Sequence, residues 1–77
     1  MSNRKIIACS VRPGKAYNTH EVSFISESGY VAGVCLENVI SANVVGDRIV
    51  VMCENSSGRY LNVYDVNTCA LKEVLQV

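Results

Sequence analysis

Residues 39–66 read VISANVVGDRIVVMCENSSGRYLNVYDV. Apolar side chains, many of them β-branched, recur with a period of two, the pattern of pleated strands rather than of a helix. Gly46-Asp47 separates a first strand, 39–45, from a second, 48–54, and puts glycine at the first central position of a two-residue hairpin. Asn55-Ser56-Ser57-Gly58 then makes a four-residue turn into a third strand, 59–66. Strands joined by turns this short pair antiparallel.

The same punctuation extends in both directions. Towards the N-terminus, 4–11 (RKIIACSV) reads as a strand that Pro13-Gly14 ends, and Lys15 to His20 is polar and loop-like. Runs 21–26 (EVSFIS) and 30–36 (YVAGVCL) flank Glu27-Ser28-Gly29, a hairpin-length connection, and Glu37-Asn38 breaks the chain again. Towards the C-terminus, Asn67-Thr68 leads into 70–77 (ALKEVLQV). That last segment reads as a strand, with a short helix as its competitor because Ala70, Leu71, Val74 and Leu75 also fit one helical face. The expectation is one all-β domain over residues 1–77. It has about seven short antiparallel strands in a meander, closed as a small barrel, a sandwich or a blade-like sheet.

A chain of 77 residues that is 49% hydrophobic and only 18% charged is apolar for its size, because small domains have proportionally more surface to wet. Runs VAGVCL and IVVMC are apolar on both faces of their strands. One face of each is covered by folding; the other calls for a second subunit. Val31, Gly33, Cys35, Val50 and Met52 are therefore expected at contacts between copies. Gly33, inside an apolar strand, marks a bulge or a close approach by a neighbour.

Seven Lys and Arg balance seven Asp and Glu, so no global field draws in nucleic acid or an anionic membrane. Arg4, Lys5, Arg12 and Lys15 nevertheless all precede the first acid, Glu21. They form a candidate basic patch, or else solvated charges that protect an edge strand and its turn. The N-terminal apolar run is too short for a signal peptide, and no stretch approaches a membrane span, so the expected compartment is the cytoplasm, or the virion for a viral chain. Cys9, Cys35, Cys53 and Cys69 are then expected as free thiols. None has the short spacing to another that structural zinc sites use, and His20 is alone, so neither metal nor cofactor is expected.

The segment from residue 39 to 77 resembles one blade of a β-propeller of the WD or kelch type. The likeness rests on four successive strands, on Gly46-Asp47 leading into an apolar second strand, and on the aromatic-acid pair Tyr64-Asp65 ending the third. No Gly-His pair opens the repeat, and Tyr64 stands where WD repeats carry Trp. The resemblance implies a scaffold for protein interaction or assembly, without catalytic residues, that would need further copies to complete a ring.

Tyr60, Asn62 and Tyr64 share one face of their strand beside Arg59, an amphipathic row of the kind interfaces favour. The expected function is thus a non-catalytic, homo-oligomeric module for protein interaction or assembly, such as a small bacterial or viral accessory or virion protein. Its expected partners are itself and an unidentified protein. Two alternatives stand beside it. One is an OB- or SH3-like nucleic-acid binder using the basic segment with the tyrosine row. The other is a cysteine-dependent enzyme, which would need His20 to reach a thiol such as Cys35.

Overall fold

The structure, a computed structural model, describes residues 5–77. Seven strands follow one another without a helix: β1 (Ala8–Pro13), β2 (Thr19–Ser26), β3 (Gly29–Glu37), β4 (Val39–Val45), β5 (Arg48–Asn55), β6 (Gly58–Asp65) and β7 (Leu71–Gln76). Each pairs antiparallel with its sequence neighbour, except that β3 and β4 belong to different sheets. The result is a three-stranded sheet, β1-β2-β3, and a four-stranded sheet, β4-β5-β6-β7. The arrangement is sandwich-like rather than a closed barrel. Its 15 Å short dimension suits two stacked layers about 10 Å apart.

Turn chemistry sets these boundaries. Gly46 has φ 61° while Asp47 keeps a negative φ, the signature of a type II′ hairpin whose twist matches the flanking strands. The change of sheet falls on Asn38, φ 53°, a residue type that tolerates left-handed backbone. Its N–H donates to the Asn18 carbonyl (2.8 Å), and its own carbonyl accepts from Glu54 N–H (3.1 Å). The corner is thereby tied to both sheets.

Alternation in β2 and β5 sorts their side chains cleanly. Val22, Phe24, Ile49, Val51 and Cys53 point inward and are fully buried, joined by Tyr64, Val66 and Ile6. Phe24 and Tyr64 carry the contact between the layers, with ring centroids 5.3 Å apart and planes inclined by 57°. Burying each such side chain stabilises the fold by about 1.5–3 kcal/mol. No buried side-chain nitrogen or oxygen among the described residues lacks a partner.

Two boundaries differ from the sequence reading. The first strand starts at Ala8, yet Ile6 ahead of it is fully buried because its N–H docks on the Val66 carbonyl (2.8 Å). Thr19 and His20 belong to β2, where they pair with Glu37 and Leu36, rather than to the preceding loop. The C-terminal segment is a strand, as the sequence reading favours over a helix, and all six residues of β7 are exposed. It is an edge strand with little chain above or below it.

Candidate functional site

The row Tyr60, Asn62, Tyr64 does not form an outward surface. Register places Tyr60 beside Cys53, Asn62 beside Val51 and Tyr64 beside Ile49, all three partners fully buried. Asn62 and Tyr64 are buried and Tyr60 is half-buried, because the row closes over Phe24 as part of the core. Burial pushes the Tyr64 and Tyr60 hydroxyls up, with Cys53 adding to both. Arg59, on the opposite parity of β6, stays exposed.

The outward face of the four-stranded sheet therefore belongs to the other parity. Across β5 and β6 the outward pairs are Arg48–Asp65, Val50–Val63, Met52–Leu61 and Glu54–Arg59. Val50 and Met52, expected at a subunit contact, do sit on this face. The apolar surface continues to exposed Leu75 on β7, beside Leu61, and to exposed Val45 on β4, beside Arg48. Arg59 Nε lies 3.9 Å from Glu54 Oε2, and Arg48 contacts Asp47 at 3.5 Å. Asp65 is held below the ordinary carboxylate range by the backbone N–H groups of Asn67 (2.7 Å) and Thr68 (3.0 Å), with Lys72 and Arg48 adding.

The β3 residues expected at a contact are divided. A bulge at Phe24/Ile25 opposite Val31 turns Val31 to pack against the core, whereas Gly33 and Cys35 lie on the outer face of the three-stranded sheet. A Cβ on Gly33 would meet the Tyr30 hydroxyl at 3.1 Å and the Val22 carbonyl at 3.2 Å, so the glycine makes room for the tyrosine. Tyr30, Gly33, Cys35, Ser23, Arg12 and Glu21 border an open cleft of about 310 Å³. That volume is at the low end of ligand pockets.

Within the basic segment, Arg12 is paired with an acid. Arg4 lies outside the described residues. Arg12 donates to the Glu21 carboxylate through Nε (3.0 Å) and Nη2 (2.8 Å), across the β1–β2 pair. Lys5 precedes β1 and Lys15 lies in the following turn, both exposed. One of the four cations is thus neutralised by an acid.

His20 and Cys35 do not meet. His20 pairs with Leu36 and faces the core side of β2, while Cys35 pairs with Glu21 on the outer side. The imidazole Nδ1 instead accepts the Val39 N–H (3.4 Å), fastening β2 to the start of β4. All four cysteines are free thiols, with Cys53 buried, Cys9 and Cys69 half-buried and Cys35 exposed. Burial pushes the Cys53 thiol up, partly offset by its hydrogen bond with Tyr60, and burial together with Cys69 raises Cys9. Among the described residues no group of three His, Cys, Asp or Glu side chains is placed to hold a metal ion, and no helix is long and apolar enough to cross a membrane. No family model, curated protein or solved structure matches the chain.

Proposed function

We propose that this chain is a non-catalytic protein-interaction and assembly module that associates with copies of itself and offers a β-surface to a larger partner. The observation that carries this reading is the apolar outward side of the four-stranded sheet. Half-buried Val50, Met52 and Leu61 form its centre around Val63, which is only 6% exposed, and Val45 and Leu75 flank it, 61% and 44% exposed. The chain's other sheet lies against the opposite side, with β1 and β2 on β4 and β3 on β5. An apolar centre bordered by charged residues has the composition of an interface rather than of an ordinary wet sheet face. The resemblance of residues 39–77 to a propeller blade implies the same class of role.

Light scattering on a sizing column tests this. A mass of at least twice the 8.4 kDa chain is expected at micromolar concentration. A single-chain mass that persists up to millimolar protein would overturn it.

A further inference from the structure

The four polar residues that frame the apolar centre alternate in sign. Along β5 the outward residues run Arg48, Val50, Met52, Glu54; along β6, in the opposite direction, they run Asp65, Val63, Leu61, Arg59. Positive and negative corners thus follow one another around an apolar quartet. Such a pattern repels a copy of itself in some orientations and attracts it in others.

Consider a second copy laid face to face, related by a two-fold axis that runs between β5 and β6, parallel to the strands. The operation exchanges β5 and β6 laterally and leaves position along the strands unchanged. Each residue then meets the copy of its own cross-strand neighbour. Arg48 meets Asp65, Glu54 meets Arg59, Val50 meets Val63, and Met52 meets Leu61. The flanking strands exchange too. Glu73 shares a row with Val63, Val50 and Asn43, so its carboxylate meets the Asn43 amide of the second copy. A two-fold axis perpendicular to the strands also opposes the corner charges, but sets Glu73 against apolar Leu75. Among the β5–β6 pairs, Glu73 and Asn43, the first arrangement sets no charge against an apolar side chain. Face-to-face sheets pack about 10 Å apart with strands inclined near 30°, a separation that arginine and glutamate side chains bridge.

We infer that the outer face of β5 and β6 docks on the same face of a second copy, about a two-fold axis parallel to these strands. The inference rests on the self-association proposed above and names its surface. The opposite charges give register and the quartet gives adhesion, a division of labour usual at interfaces.

Charge reversal across the interface supplies the test. In Arg59→Glu, Glu54 of each copy meets a glutamate; in Glu54→Arg, Arg59 of each copy meets an arginine. Each variant alone is expected to dissociate, its dissociation constant rising roughly tenfold or more at low salt. Mixed one to one, they are expected to form a heterodimer. There the native Glu54 of the first variant meets the native Arg59 of the second, and the introduced glutamate of the first meets the introduced arginine of the second. Met52→Glu, which charges the quartet, is expected to be monomeric with an unchanged far-UV circular dichroism spectrum. Recovery in the mixture cannot come from a merely structural effect of either substitution. The inferred face is wrong if wild type self-associates while Met52→Glu keeps the same mass, and the inferred axis is wrong if the mixed reversal variants stay monomeric. A wild-type chain that is monomeric at every concentration sinks both this surface and the broader proposal.

Discussion

Gly14 shows how much one hydrogen atom can matter here. A Cβ at this position would run into Thr19 Oγ1, which is itself held by donation to the Ala16 carbonyl (2.7 Å). The Gly14 N–H also donates to the Thr19 carbonyl (2.8 Å), so neither side of the turn can back away without losing a bond. Gly14→Ala is expected to destabilise the fold by about 1–3 kcal/mol, the usual penalty for overpacking, read as a lowered urea midpoint at unchanged slope. The buried thiol and phenols give a second residue-scale prediction. Burial raises Cys53, Tyr60 and Tyr64 above their ordinary values of 9.0 and 10.0. A group raised in the folded state contributes stability that is complete below its unfolded pKa and lost as pH climbs through the folded one. Melting temperature is therefore expected to hold steady up to about pH 9 and to fall beyond it. The fall should be shallower in Cys53→Val, which loses that buried thiol while Cys9 keeps its own. A flat alkaline limb in the wild-type chain would contradict the burial of these groups.

At the scale of elements, β7 contrasts with β5. Ile49, Val51 and Cys53 of β5 are fully buried, whereas Leu71, Val74 and Leu75 of β7 are about half exposed. Truncating a buried residue removes packing that nothing replaces, so Ile49→Ala should cost about 2–5 kcal/mol. Val74→Lys should shift stability by no more than about 0.5 kcal/mol and should slow aggregation, because a charge on an open apolar edge strand discourages further pairing. Light scattering at raised temperature reads the second effect; faster aggregation of the variant would sink it. The strands themselves were legible in the sequence because period-two patterning and turn residues such as Gly46-Asp47 act locally. Which side of β6 faces inward was not. Leu61 and Val63 on one parity and Tyr60, Asn62 and Tyr64 on the other are both amphipathic. The choice is made by Phe24, a residue of the other sheet that packs on Tyr64. The outward pairs of β5 and β6 could have been read off directly, since residues equidistant from the Asn55–Gly58 turn must oppose one another. That arithmetic places Arg59 opposite Glu54 and Leu61 opposite Met52, as found.

For the molecule as a whole, the question is whether two sheets that share no β-ladder unfold together. Their union rests on a few long-range contacts: Phe24 against Tyr64, the His20 imidazole accepting from Val39, Ile6 N–H on the Val66 carbonyl, and Asn38 bonded to Asn18 and Glu54. Neither sheet could keep its inner face dry alone. Separated, the three-stranded sheet would expose Val22 and Phe24, and its partner Ile49, Val51 and Tyr64. At about 1.5–3 kcal/mol for each such side chain, that exposure is comparable with the entire stability of a domain this small. Unfolding is therefore expected as one transition, with tyrosine fluorescence, which sums over four tyrosines including buried Tyr64, and far-UV circular dichroism, which reports on all seven strands, giving superimposable urea curves. A double-mutant cycle on Phe24→Leu and Tyr64→Leu should return a coupling of about 0.5–1.5 kcal/mol for the tilted ring pair. If the optical curves separate, or the two substitutions simply add, the sheets are independent units and the ring contact does not bind them. Self-association adds one more signature. A contact made only by the folded chain raises the urea midpoint as protein concentration rises, and Met52→Glu, lacking that contact, should show a midpoint independent of concentration.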